Sequence, residues 1–256
     1  MKEREKQIIK EIAIKAGGIL KSYFRKKISI SYKGDIDPVT VADRKSEEFI
    51  IKNLKRYFPD ASILSEEFGF EKVKGNFLFI IDPLDGTVNF SHKFPVYAIS
   101  IALLYKNNLI YGLIYDVERN EIFEAEKGKG AYLNGKRIHV SSKKRIERSL
   151  LATGFPYYVW KKPRRVIKIF KNILKHAQGV RRLGAATIDL AWVACGRLDG
   201  FWEEGLKVWD TIAGKIIVEE AEGKVTDYRG KKYDLNSNTI VASNGFIHNQ
   251  ILELIK

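Results

Sequence analysis

Residues 82–87 read Asp-Pro-Leu-Asp-Gly-Thr, immediately after the apolar run Phe77-Leu-Phe-Ile-Ile81. The run predicts a buried strand over 77–81 that delivers two carboxylates, Asp82 and Asp85, at its end. Carboxylates three residues apart at a strand end can converge on one side once the chain turns. Pro83 holds Asp82 extended and is expected to stop ladder pairing. Gly86 tolerates tight geometry, and Thr87 can open a short helix over 88–90 whose outward amides bind an anion. One hexapeptide thus offers carboxylates for a hard cation and amides for a phosphate, the two requirements of metal-assisted phosphoryl transfer. Alone, the same string also fits a capped turn with two surface aspartates.

Three further strings narrow the reading. Ser65-Glu66-Glu67 follows a predicted strand over 62–64, and adjacent carboxylates there repel each other unless a cation is present. Trp209-Asp210-Thr211 sets an aspartate beside a bulky anchor at a helix start, where it fits an N-cap equally well. Asp37-Pro-Val-Thr-Val-Ala-Asp43 stands at the head of another helix and reads as capping when taken alone.

The elements that must position these residues follow from hydrophobic period. Apolar residues Ile8, Ile9, Ile12, Ala13, Ala16, Ile19, Leu20 and Phe24 predict a helix over 5–24, and a second runs over 41–57, stopping before Pro59. Between them, 31–40 is polar and turn-rich and reads as a loop. Strands are expected over 62–64, 77–81, 97–104, 110–115, 122–125 and 131–133, with Gly128, Gly130 and Asn134-Gly135 as hairpin turns. Beyond about residue 148 strands alternate with helices: a strand over 149–153, helices over 163–176 and 185–195, a short strand at 201–202, and helices over 210–221 and 247–255. The fold class is therefore α/β, with an α+β part over 1–143 joined to an α/β part over 144–256. No internal repeat is visible.

Composition bounds the function. The 256 residues are 45% hydrophobic, enough for a sizeable core, and the single cysteine, Cys195, excludes an internal disulfide and a cysteine-built zinc site. No apolar run is long enough to span a membrane, and the charged N-terminus does not resemble a signal peptide. The expectation is a soluble, cytoplasmic protein without membrane partners. The net charge of +14 is uneven: thirteen Lys or Arg against one acidic residue over 143–182, then a mostly acidic stretch over 199–227. Basic and acidic blocks side by side suit a site that holds cations and anions together. Around 168–175 the basic block also fits a solvated Lys-rich helix of the kind common in heat-stable proteins.

Glu66-Glu67, Asp82-Pro-Leu-Asp-Gly-Thr-Val-Asn-Phe90 and Trp209-Asp210-x-x-Ala-Gly214 together resemble the inositol monophosphatase family in order and spacing. Asp37-x-Val-Thr-x-x-Asp43, Gly128-x-Gly-Ala-Tyr-x-Asn-Gly135, Arg182-x-Gly-Ala-Ala186 and Gly200-Phe-Trp-Glu203 extend the likeness over nearly the whole chain. The resemblance implies a layered α-β-α-β-α sugar-phosphatase fold and a site for two to three Mg²⁺ ions. One ion would be held by Glu66, Asp82 and the Leu84 carbonyl, a second by Asp82, Asp85 and Asp210, and a third, weaker one by Glu66. The amides of Gly86 and Thr87 would bind the phosphate. A water polarised by the cation and oriented by Glu66 and Thr87, with Asp43 acting through Thr87, would attack in line. The alcohol half would lie against Asp85, Gly184, Ala185, Ala186 and Glu203.

The implied enzyme is an Mg²⁺-dependent phosphomonoesterase acting on myo-inositol 1-phosphate and related polyol phosphates, lithium-sensitive and homodimeric. Fructose 1,6-bisphosphate and 3′-phosphoadenosine 5′-phosphate are the alternative substrates. A bisphosphate needs a second cationic pocket, for which Tyr157, Arg164, Arg165 and Arg182 are candidates. Lys33 is a further candidate near the phosphate. Nucleic acid is a secondary partner class: the basic block and Trp160 would serve an RNA- or transcription-associated regulator on the same fold.

Overall fold

The computed structural model describes residues 1–26, 30–32, 38–156 and 158–256. The chain opens with α1 (Glu3–Phe24), then β1 (Ile30–Tyr32) and β2 (Pro38–Thr40), which pair antiparallel where the sequence suggested only loop. Next come α2 (Val41–Tyr57), β3 (Ala61–Ser65), β4 (Gly69–Glu71), β5 (Phe77–Asp85), α3 (Thr87–Ser91), β6 (Ala98–Tyr105), β7 (Asn108–Asp116), β8 (Glu121–Glu126), β9 (Gly130–Leu133) and β10 (Lys136–Ile138). The rest is β11 (Leu150–Thr153), α4 (Pro163–Leu174), β12 (Gly179–Arg181), α5 (Ala186–Ala194), β13 (Gly200–Glu204), α6 (Val208–Glu220), β14 (Lys224–Thr226), β15 (Thr239–Ser243) and α7 (His248–Ile255).

The strands form two large sheets, ordered β10-β9-β8-β7-β6-β5-β3-β4 and β12-β11-β13-β15-β14. In the first, β3 and β5 are parallel and the other pairs antiparallel. In the second, β11 runs parallel to β12 and β13, while β15 is antiparallel to β13 and β14.

Period-2 alternation along each strand sorts its side chains into different cores. Ile99, Ile101 and Leu103 of β6 join Phe79 and Ile81 of β5 under α1 and α2. Ala98, Ala102 and Leu104 face the other way, onto Ile188, Ala191, Ile212, Ile216 and Ile217 of α5 and α6. That same central core takes Phe201 of β13 and Ile240 and Ala242 of β15. Their neighbours Trp202 and Val241 point outward onto Ile169 and Ile173 of α4 and Ile251 of α7. The layers therefore run α, β, α, β, α, as the resemblance implies. Helices α5 and α6, from the second half of the chain, are the shared middle layer.

The outer edge is fastened by a buried histidine. The ring nitrogens of His248 stand 2.9 Å from Thr226 Oγ1 and 2.8 Å from Ser243 Oγ, tying α7 to β14 and β15. Burial, and then Lys224, push its pKa down to about 4. The unfolded chain protonates this ring near pH 6.5, so its stabilising contribution is complete above that pH. It is lost as pH falls toward 4, by about 3 kcal/mol in total. NMR titration of the four histidines should show one ring, His248, with a midpoint near 4. A midpoint near 6.5 for all four would contradict this packing.

Candidate active site

Strand β5 does not stop at Pro83. Asp82 pairs with Ser100 and Asp85 with Ala98, so Pro83 and Leu84 together oppose the single residue Ile99. This is a β-bulge, placed where proline lacks the amide that ladder pairing needs. It also explains how the two carboxylates converge. Residues three apart on a regular strand face opposite sides, but the bulge returns Asp85 to the face of Asp82, toward α5 and α6. Leu84 turns into the core under α1 and α2, and its amide donates to Asp82 Oδ1 at 3.0 Å. Gly86 then adopts φ 89°, and a Cβ there would stand 2.9 Å from the Val96 carbonyl, so no other residue fits easily. Thr87 opens α3 as expected.

Helix α2 anchors this segment from below through residues at i, i+3 and i+4. The Thr40 hydroxyl caps the helix and donates to Asp43 Oδ2 at 2.5 Å, and the Thr40 amide donates to the same oxygen at 2.8 Å. Thr87 Oγ1 lies 3.1 Å from the other oxygen, Asp43 Oδ1, and 3.0 Å from the Leu84 carbonyl, and donates to these acceptors. Ser46 Oγ donates to the Pro83 carbonyl at 2.9 Å. Glu47 Oε1 accepts from Ser65 Oγ and, at 3.0 Å each, from the amides of Glu67 and Phe68. One helix face thus fixes the Glu66 turn, the bulge and Thr87.

The middle layer supplies the opposite wall. Thr187, in the first turn of α5, donates its amide and hydroxyl to Asp85 Oδ2 at 2.7 and 2.6 Å. Asp210 accepts the Lys207 amide at 2.7 Å, the helix-end bond that its sequence position suggested, while also facing the cleft. Ser100 Oγ, opposite Asp82, donates to the Trp209 carbonyl at 3.2 Å and holds the two walls in register.

Between these walls lies a cleft of about 390 Å³. Glu66, Asp82, Leu84, Asp85, Gly86, Thr87, Gly184, Ala185, Ala186, Glu203 and Asp210 all line it, although they come from five separate stretches of sequence. Asp43 stands behind it through Thr87. Arg182 also lines it, whereas Arg164 and Arg165 are exposed on α4, with Arg165 3.5 Å from Glu204. Tyr157, Lys33 and Asp37 fall outside the described residues. Sequence reasoning missed Ser46, Glu47, Thr187 and Asp189. Only Thr187, one residue beyond the Gly184-Ala-Ala186 string, carried any signal.

The carboxyl groups are held in an unfavourable state. Burial raises the Asp82 pKa well above the ordinary range, and Glu66, Asp85 and Asp210 raise it further. Burial and then Asp85 do the same to Asp210. Asp85 is pushed up to about 6 by burial despite its two bonds from Thr187, Asp43 to about 6, and Glu203 to about 8. A group of buried carboxyls that raise one another's pKa is short of positive charge. All the available donors are oxygens, which fits Mg²⁺ and not a thiolate- or imidazole-preferring metal.

The whole chain, residues 1–256, matches the profile of the inositol monophosphatase family. It is 42% identical over 251 residues to the inositol-1-monophosphatase of Synechocystis sp., covering 97% of this chain and 88% of that protein. It is also 42% identical over 226 residues to the Nus factor SuhB of Pseudomonas aeruginosa, covering 85% and 82%. Among solved structures, the extragenic suppressor protein suhB of Bartonella henselae superposes with a TM-score of 0.95 at 36% identity, over 99% of each chain.

Proposed function

Because the chain belongs to the inositol monophosphatase family, we propose that its cleft is an Mg²⁺-dependent phosphomonoesterase site hydrolysing myo-inositol 1-phosphate and similar polyol phosphates. The observation that carries this reading is the convergence of Glu66, Asp82, Asp85 and Asp210 on one cleft, where burial and the neighbouring carboxyls raise the Asp82 pKa. In it Glu66, Asp82, Asp85, Asp210 and the Leu84 carbonyl would hold the cations, whose charge would polarise the ester and acidify the attacking water.

The chain's own groups do the rest. The amides of Gly86 and Thr87 orient the phosphate at the start of α3. The Asp43 carboxylate, itself held by Thr40, accepts the Thr87 hydroxyl proton, so that Thr87 Oγ1 presents a lone pair to the incoming water. Glu66 accepts a hydrogen bond from the other hydrogen of that water. Attack in line with the ester oxygen breaks the bond between phosphorus and that oxygen, which takes a proton from solvent water in the cleft and leaves as the alcohol along Glu203 and Ala185-Ala186. Trp209, Leu206 and Phe155 border the cleft and limit bulk water.

The test is phosphate release with Mg²⁺, comparing kcat/KM for inositol 1-phosphate, fructose 1,6-bisphosphate and 3′-phosphoadenosine 5′-phosphate. Inositol 1-phosphate should lead by at least about tenfold, the discrimination that a few specific hydroxyl contacts supply. A lead for the bisphosphate would replace this substrate assignment, and no release from any ester would overturn the enzymatic reading.

A second role has one observation in its favour. Arg164, Arg165, Lys168, Lys171 and Lys175 are all exposed on or just beyond α4, with Trp160 57% exposed beside them. Such a surface suits a polyanion, and a relative carries the name Nus factor. RNA binding that weakens steeply with salt and disappears on replacing these five residues would support it, with phosphate release unaffected.

A further inference from the structure

One buried polar atom of a residue that lines the cleft has no partner. Asp189 Oδ1 is buried and makes no hydrogen bond among the described residues, and Asp189 as a whole is 1% exposed. The residue lines the cleft from α5, a helix otherwise made largely of apolar and small side chains such as Ala186, Ile188, Leu190 and Ala191. An aspartate adds nothing to the interior of such a helix. A residue kept for folding would have its acceptor satisfied, because leaving one buried and unpaired is a standing cost.

The charged neighbours of Asp189 are Glu203, Asp85 and Arg182. Glu203 faces the same space: a Cβ on Gly154 would stand 2.1 Å from Glu203 Oε2, so that carboxyl lies directly over bare backbone. Two carboxyl groups and a guanidinium therefore border one recess beside Ala185 and Ala186. An apolar group, or any group without a donor, would leave the Asp189 acceptor unsatisfied. Neighbouring hydroxyls satisfy the whole set, since each can donate to a carboxyl oxygen and accept from Arg182.

We infer that Asp189 is a specificity-determining residue whose carboxyl receives a ring hydroxyl of a polyol phosphate, alongside Glu203. The inference rests on the phosphatase reading and adds to it the recognition of the substrate's polyhydroxylated half.

Two measurements test it. First, kcat/KM for inositol 1-phosphate is divided by that for 4-nitrophenyl phosphate, which has no hydroxyl to offer. In Asp189→Ala this ratio should fall about 30-fold relative to the parent, the loss expected when one buried acceptor contact disappears. Asp189→Asn keeps the shape and an acceptor oxygen, should fold where alanine does not, and should recover part of the ratio. An unchanged ratio in both variants, whether both rates fall together or neither does, would overturn the inference, as would an effect confined to the Mg²⁺ concentration required. Second, free myo-inositol is followed by saturation-transfer NMR, which needs no turnover. The parent should show ring-proton transfer that Asp189→Ala loses. Transfer of equal strength in both, or in neither, would also overturn it. Absence of phosphate release from both esters in the parent protein would instead count against the phosphatase reading.

Discussion

Asp82→Asn should do two opposite things at once. Phosphate release should fall by about a thousandfold or more, because Asp82 is shared by both proposed cation positions and about 4 kcal/mol of transition-state stabilisation goes with it. The cation-free protein should become more stable, by about 1–3 kcal/mol, because a buried carboxyl beside Glu66, Asp85 and Asp210 is replaced by a neutral amide. For a chain of this size that is a rise in Tm of several degrees. The sign of the pH dependence follows from the same repulsion. Carboxyls whose folded pKa lies above the unfolded value take up protons on folding, so their destabilising effect is absent at acid pH and grows as pH rises through the folded pKa. Mg²⁺ at about a hundred times its Kd should stabilise the parent protein by about 2.7 kcal/mol, and the Asn variant by far less. Thermal melts with and without Mg²⁺, set beside the activity assay, read all of this. A variant with near-normal turnover, or one melting lower than its parent in the absence of Mg²⁺, would refute the ligand assignment.

Glu47→Ala should be the most damaging substitution outside the cleft. It leaves Ser65 Oγ, which is fully buried, and the half-buried amides of Glu67 and Phe68 without their shared acceptor. The loss should be about 3–5 kcal/mol of stability. Among molecules that still fold, Glu66 is no longer held at its turn, so turnover should fall by about a hundredfold and the Mg²⁺ requirement should rise. Glu47→Gln retains one acceptor oxygen, should fold normally, and should show the raised Mg²⁺ requirement in milder form. Urea unfolding and Mg²⁺ titrations of activity separate the two effects. An unaltered Mg²⁺ requirement in both variants would mean that Glu47 serves the fold alone.

What the sequence disclosed, and what it hid, follows from where each signal resides. Helix α2 is predicted to its end residues because Thr40 caps it, its apolar face is regular and Pro59 lies just beyond. The bulged strand was legible as far as its apolar run, yet Pro83 argued for a stop, and only the partner strand reveals that pairing resumes at Asp85. Phe77, expected to be buried, is 39% exposed because it sits at the strand's open end. Strands β4, β10, β12 and β14 have three residues each, too few for any period to register, and β15 offers five residues with polar ends. The carboxylates of the site were readable because each lies in a string with its own local logic. Ser46 and Glu47 were not, since in Arg44-Lys-Ser-Glu-Glu48 they look like one turn of a solvated helix face. Their burial depends on which loop the rest of the fold lays over them. Asp189 was hidden for the same reason.

The bulge in β5 also changes what the main chain can offer. In a regular central strand every carbonyl is committed to a neighbouring strand, and none is left over for other partners. Over residues 82–85 only β6 still pairs with β5, since the ladder with β3 ends at Ile81, and setting two residues against one there takes Pro83 and Leu84 out of that commitment on the remaining side. The Pro83 carbonyl is then free to receive Ser46, and the Leu84 carbonyl to receive Thr87 and, in the proposed reaction, a cation. The spare residue, placed just past the end of the β3 ladder, is thus a way of making backbone available on a strand that still continues in the sheet.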